Sequence, residues 1–348
     1  MQAAPNRFDL LRLVFASLVF LYHAIVLGSV DPTGEWEQGL ALLAELSIQG
    51  FFVVSGVLVY GSFERSRTVM DYAGKRVRRL YPAYAVIILL PALVSLALTN
   101  GEAGALPQIL EYLGVNLVFL NFLQPELPGL FESNRFPEVN GALWTLKIEV
   151  MFYLALPVLA WILSKLGRLW WFAIVMMIFG AFAWRELSLA YDHPLSDQLA
   201  RQLPGQMMYF AAGMALRRVW GLARAQSVTL LLVGVMSLIG ALLVPWLEPL
   251  RVLGLTGIIA GIAFLPGPAL NVARWGDISY GVYIVHFPIL QTLVALGVFA
   301  TYGVAAGLAL AIGLVFVASY LLWWIVEKPA LRQDSHYRKA SKKECRDE

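Results

Sequence analysis

Cysteine is almost missing from this chain, and charge is scarce. Its single cysteine, Cys345, lies in a polar tail, which excludes a disulfide framework and a cysteine metal cluster. No other residue pattern suggests a metal site. Charged residues make up 14% of the 348 residues, while 59% are hydrophobic. A soluble domain carries about 25% charged and roughly 45–50% apolar residues. Such an apolar excess cannot be hidden in one water-soluble core, so it has to face lipid. The net charge of +3 is uninformative, because in a membrane protein the placement of charge matters more than its sum. Internal repeats are also missing.

Aromatic residues and long apolar runs are abundant instead. Eleven Trp and 14 Tyr suit the aromatic belts of membrane–water interfaces. Arg7 and Arg12 precede an apolar stretch, the outline of a signal peptide. That stretch continues to about Val30, contains His23 and lacks a small-x-small cleavage site, so it is expected to be a retained first span.

A spanning helix needs about 20 mainly apolar residues. The runs predict spans at 8–29, 40–62, 81–99, 142–164, 169–187, 204–219, 226–246, 250–267, 277–300 and 303–326. The segment 108–123 is apolar but short and carries Glu111, Asn116 and Asn121, which leaves an eleventh span, a re-entrant helix or an interfacial helix open. Ten spans with a cytoplasmic N-terminus put Arg65, Arg67, Lys75, Arg76, Arg78, Arg79, Lys165, Arg168, Arg217, Arg218, Arg224, Arg274 and the basic tail inside. Only Arg135, Arg185, Arg201 and Arg251 fall outside. A full crossing by 108–123 would destroy this asymmetry. The positive-inside rule thus predicts an all-α, polytopic membrane helix bundle of about ten transmembrane helices plus one short re-entrant or interfacial helix, with both termini cytoplasmic. Residues 1–332 form the membrane domain and 333–348 a basic cytoplasmic tail. The outer loop at 100–141 suits a lid, an acceptor platform or a linker.

Ionisable groups inside spans are costly and usually face the protein interior or a water-filled path. His23 follows Arg12 by eleven residues, which returns to nearly the same helical face about 16 Å along the axis. Such a stripe suits a long ligand, anionic at one end and reactive at the other; snorkelling by Arg12 and a helix contact by His23 account for it equally. Glu149 is expected at a depth similar to His23, and Glu45 comparably deep in the second span. Either carboxylate would fix an imidazole tautomer and raise its basicity, or serve as a structural hydrogen bond. Glu149 is the better partner, because Thr145, Phe152 and Tyr153 share its face. Lys147 points elsewhere and reads as structural. His286 lies near mid-bilayer on the face of Ser279, as helix packing or part of a polar cavity. The dense cations Lys75, Arg76, Arg78 and Arg79 serve as a topology signal, an anionic-lipid contact or a phosphate site, and Pro82 is expected to mark the start of the next helix.

In order along the chain stand RFDLLRLVFASLVFLYHA, QGFFVVSGVLVYGSF, KRVRRLYPAY, NGALWTLKIEVMFYLALP, DISYGVYIVHFPIL and IVEKPALR. Each alone is weak, but together they resemble the acyltransferase family 3 pattern over residues 7 to 332. The length resembles the stand-alone members without an esterase-like domain. This resemblance implies transfer of an acyl group, usually acetyl, from a cytoplasmic acyl-CoA to a hydroxyl of a carbohydrate or related acceptor, in the bacterial inner membrane. It implies His23 as the essential histidine, Arg12 and the Arg76–Arg79 pair at the CoA donor, and Glu149 and Trp144 lining the site. Lys75 is grouped with the donor cations. Glu45, Tyr153 and His286 join Trp144 as expected substrate-binding residues. Direct transfer with His23 as general base competes with a transient acyl-histidine. Expected partners are acyl-CoA (the acetyl form, as the resemblance implies), a carbohydrate acceptor, lipid-linked or free, and the bilayer, with no nucleic acid and no metal. Exopolysaccharide or lipopolysaccharide is the favoured acceptor.

Two rival classes fit less well. A transporter of a sugar, a lipid precursor or the acyl donor would also hold buried ionisable groups, but many transporters show internal repeats. An intramembrane protease would need Ser55 near a histidine, and Ser55 is expected more than a turn from the depth of His23.

Overall fold

The computed structural model describes residues 7–28, 34–268, 270, 272, 276–332 and 335. Arg274, Cys345 and the tail 333–348, Ser335 apart, lie outside the described residues. Among the described residues there are helices and no strand. They are α1 (Phe8–Leu27), α2 (Glu35–Glu64), α3 (Val69–Leu98), α4 (Ala105–Asn116), α5 (Trp144–Lys165), α6 (Trp170–Ala190), α7 (Ser196–Ala200), α8 (Leu203–Arg218), α9 (Trp220–Ala225), α10 (Ser227–Leu243), α11 (Leu250–Phe264), α12 (Ser279–Ala295), α13 (Val298–Tyr302), α14 (Val304–Leu322) and α15 (Lys328–Ala330), with a π-helical turn at Trp323–Glu327.

Six helical segments are long and apolar enough to cross a bilayer: Phe8–Leu27, Glu35–Glu64, Val69–Leu98, Gly141–Lys165, Gly167–Ala190 and Val304–Ala330. The expected spans at 204–219, 226–246 and 250–267 fall on α8, α10 and α11, of 16, 17 and 15 residues. The expected span at 277–300 divides into α12 and α13, separated at Gly297, whose φ is +66°. The chain is a multi-pass membrane helix protein.

Segment 108–123 is not a spanning helix. α4 has 12 residues and rises about 18 Å, against a hydrocarbon core of about 30 Å. Its polar side chains fold the chain back. Asn116 donates through Nδ2 to the carbonyls of Tyr112 (2.9 Å) and Gln124 (2.8 Å). Asn121 donates to the Tyr84 hydroxyl at 2.8 Å, which itself donates to the Asn116 carbonyl at 2.7 Å. Phe119 takes φ +66° and stacks on Tyr84 with centroids 4.2 Å apart.

The start of α3 corrects another expectation. Pro82 lies inside the helix, and α3 begins at Val69. The beginning is set by a reciprocal cap: Thr68 Oγ1 accepts from the Asp71 amide (3.0 Å), and Asp71 Oδ2 accepts from the Arg67 amide (3.2 Å). These bonds satisfy amides that the first helical turn leaves without partners. Lys75, Arg76 and Arg79 therefore sit on helix, not in a loop.

The chain divides into two compact units. One comprises residues 1–12, 46–73 and 148–271. Within it α2 and α8 touch through Gly56 and Gly213, where any Cβ would collide with the facing backbone. Phe210 stacks on Phe152 at 4.0 Å and meets Phe52 at 4.8 Å. Arg7 donates to the carbonyls of Ile262 (3.0 Å) and Pro268 (3.1 Å) after α11. The other unit comprises 13–45, 74–147 and 272–348, with α12 buried along its first nine residues, Ser279–Phe287.

Candidate active site

The second unit holds His23 and His286. His23 lies on α1 and is half-buried; His286 lies on α12 and is 0% exposed. His23 Nδ1 stands 3.0 Å from His286 Nε2, and the rings stack with centroids 5.0 Å apart. His286 Nδ1 lies 3.0 Å from the Val282 carbonyl, one turn earlier on α12. A carbonyl only accepts, so His286 Nδ1 carries the proton. In the neutral ring its Nε2 then accepts, and His23 Nδ1 must donate to it. The remaining acceptor of the pair is His23 Nε2. A backbone carbonyl thus sets both tautomers, as outer hydrogen bonds orient the imidazoles of catalytic and metal sites. Phe20 packs edge-on to His286 and Phe287 edge-on to His23.

Below this pair Tyr283 and Thr145 share a 2.6 Å hydroxyl contact, and both reach the Ala142 carbonyl. Asn140 caps the turn into α5 by accepting from the Ala142 amide at 3.2 Å, while its Nδ2 donates to the Ile284 carbonyl at 2.9 Å. Gly141 lies against the Phe287 ring, and a Cβ there would press into it. Trp144, half-buried, opens α5 directly after this turn. Lys147 stands 4.5 Å from the Phe122 ring centroid, consistent with its structural reading.

A second cluster in the same unit is charged. Arg79 donates through Nη1 to Glu327 and through Nη2 to Asp277. Both carboxylates are buried, at 1% and 2% exposure. Ser279 Oγ donates to Asp277 Oδ1 at 2.7 Å, and the Tyr280 and Trp323 rings flank the guanidinium at 5.6 and 5.8 Å. Pairing Arg79 with Asp277 and Glu327 was not anticipated from the residues, although both acids lie in quoted motifs. Lys75 and Arg76 are half-buried on α3, as is Arg12 on α1.

In the first unit Glu149 Oε1 accepts from Ser55 Oγ at 2.9 Å and from the Tyr153 hydroxyl. The Tyr72 hydroxyl donates to the Tyr153 carbonyl at 3.1 Å. This bond corrects the depth reading. Ser55 and Glu149 are at one level, although their distances from the expected span ends had set them apart, because α2 runs 30 residues and its crossing depth is not fixed by counting from position 40. Glu45 is exposed on α2. The side chain that hydrogen-bonds His23 is His286.

Six helical segments long and apolar enough to cross a bilayer, with two hydrogen-bonded imidazoles on α1 and α12, define a class: multi-pass helical membrane proteins with a buried polar centre. The chain belongs to the acyltransferase family described as "Acyltransferase domain", which matches residues 6–327. It is accordingly an acyltransferase. It is 27% identical to "Nodulation protein 10" of Rhizobium leguminosarum bv. viciae, over 94% of this chain and 93% of that protein. It is 26% identical to an "O-acetyl transferase" of Shigella phage Sf6, over 95% and 97% of the two chains. Similarity to "Acyltransferase MdmB" of Streptomyces mycarofaciens is 25%, over 84% and 82%. No solved structure matches.

Proposed function

We propose that this protein is an inner-membrane O-acetyltransferase, moving acetyl from cytoplasmic acetyl-CoA to a hydroxyl of an envelope or secreted carbohydrate. Ten crossings with both termini cytoplasmic complete the reading. The observation that carries it is the Val282–His286–His23 hydrogen-bond chain, which leaves an imidazole acceptor on the half-buried member of the pair. The O-acetyl transferase of phage Sf6 supports the choice of reaction.

In this mechanism His23 Nε2 takes the acceptor hydroxyl proton as its oxygen attacks the thioester carbonyl. The tetrahedral carbon then expels the CoA thiolate, which recovers the proton from the His23 imidazolium. His23 is the catalytic side chain of this step; Glu149, which accepts from Ser55 and Tyr153, takes no part in it. Arg12, Lys75 and Arg76 bind the phosphates of the donor; Arg79, held by two buried carboxylates, orders that cationic face. Trp144, Glu45, Tyr153 and His286 serve the acceptor side, His286 by orienting His23.

The test uses purified protein in membranes, labelled acetyl-CoA and a panel of methyl glycosides of glucose, galactose, rhamnose and N-acetylglucosamine. Ester formation on one glycoside is expected, and His23→Ala should abolish it. Label that crosses the membrane without forming an ester would establish transport instead. Label on the protein itself, at His23 and released by neutral hydroxylamine, would replace direct transfer by an acyl-histidine.

A further inference from the structure

The outer loop contains a carboxyl oxygen that the fold buries and leaves unused. Glu138 Oε2 is shielded from solvent and has no hydrogen-bond partner among the described residues. A buried polar atom left unmatched is costly, so an unpartnered acceptor invites a ligand that donates to it.

Its surroundings are held firmly. Gln291, fully buried on α12, donates through Nε2 to the carbonyls of Phe136 (2.6 Å) and Glu138 (2.8 Å). Asn134 Nδ2 in turn donates to Gln291 Oε1 at 2.8 Å. Arg135 reaches two other helices, meeting the Val26 carbonyl on α1 at 3.4 Å and Glu37 on α2 at 3.5 Å. Further on, Asn140 bonds the Ile284 carbonyl and Gly141 lies on Phe287, the ring that meets His23.

The segment 134–141 is therefore held on α12 at both ends, by Asn134 at Gln291 and by Asn140 at Ile284, and it touches α1 through Arg135 at Val26, one turn beyond His23. It then descends α12 from Gln291 to Ile284, passing the level of His286. Gln291 stands about 7.5 Å along the helix from His286. The Glu138 carbonyl is held at the Gln291 end of this stretch. A carboxyl group suits a hydroxyl donor and repels the phosphates of an acyl-CoA, so its place is on the acceptor side.

We propose that Glu138 is a specificity residue, whose Oε2 accepts a hydrogen bond from a second hydroxyl of the carbohydrate acceptor and so orients the reacting one toward His23. This rests on the carbohydrate reading above.

The test takes whichever methyl glycoside the wild type acetylates, with its monodeoxy analogues, and compares wild type, Glu138→Ala and Glu138→Gln. Glu138→Ala should raise the acceptor KM about tenfold and leave the KM for acetyl-CoA unchanged, with Glu138→Gln intermediate because its amide oxygen still accepts. One deoxy analogue should be used equally well by wild type and Glu138→Ala, since each lacks one half of the same bond. An unchanged acceptor KM, or a matching rise in the donor KM, overturns the assignment while leaving acyl transfer intact. Failure of the wild type to acetylate any glycoside overturns the carbohydrate reading and this assignment with it. Thermal unfolding of Glu138→Ala should match the wild type; a lowered midpoint with unchanged KM would make the residue structural and overturn the proposal.

Discussion

Two buried polar clusters in the same unit are built on opposite principles. At His23 and His286 the chain of hydrogen bonds is neutral and begins at a carbonyl one turn back on α12. At Arg79 the groups are charged, and the guanidinium is held by Asp277 and Glu327 from distant parts of the sequence. The neutral chain ends on a ring nitrogen that still accepts, so it retains reactivity. The charged one spends its cation on internal partners, so it retains position. A site needs both, since a reactive group is effective only where packing holds its geometry.

The contrast is broken most severely at its reactive end. His23→Ala should lower acetyl transfer by about 10²- to 10⁴-fold, the contribution of a positioned general base, with little change in thermal stability. Arg79→Ala should do the reverse in kind. It strands two buried carboxylates, and unfolding in detergent should show a loss of about 3–5 kcal/mol. A variant that kept its stability would show that water reaches the pair. His286→Leu should cut kcat by about 10- to 100-fold without altering stability as Arg79→Ala does, because it removes the acceptor that orients His23. His286→Gln should restore part of that loss, its amide oxygen accepting from His23 Nδ1. The smallest effect is expected at Thr145→Val, which removes the 2.6 Å bond to Tyr283 and should cost about 1 kcal/mol of stability with transfer retained.

Much of this was readable in the residues and some was not, for identifiable reasons. Apolar runs announce helices, and polar residues inside them announce sites, so His23, Glu149 and His286 stood out. The cap at Thr68 and Asp71 was also visible in principle, as a threonine followed three residues later by an acid, but Pro82 was the louder signal. Proline inside a helix is tolerated in membranes, where neighbouring groups satisfy the freed carbonyl. The level shared by Ser55 and Glu149 was hidden, because depth counted along a span assumes where the span starts.

The sequence by itself determined that this is a helical membrane protein of the acyltransferase family, because composition dictates lipid exposure and ordered motifs dictate kinship. Only the tertiary structure decided that His23 is answered by His286, that Arg79 is tied to Asp277 and Glu327, and that the segment 134–141 is pinned to α1 and α12. The physical reason is that lipid makes both faces of a helix apolar, which erases the periodic signal for rotation and depth. Which polar group meets which is then set by helix packing alone.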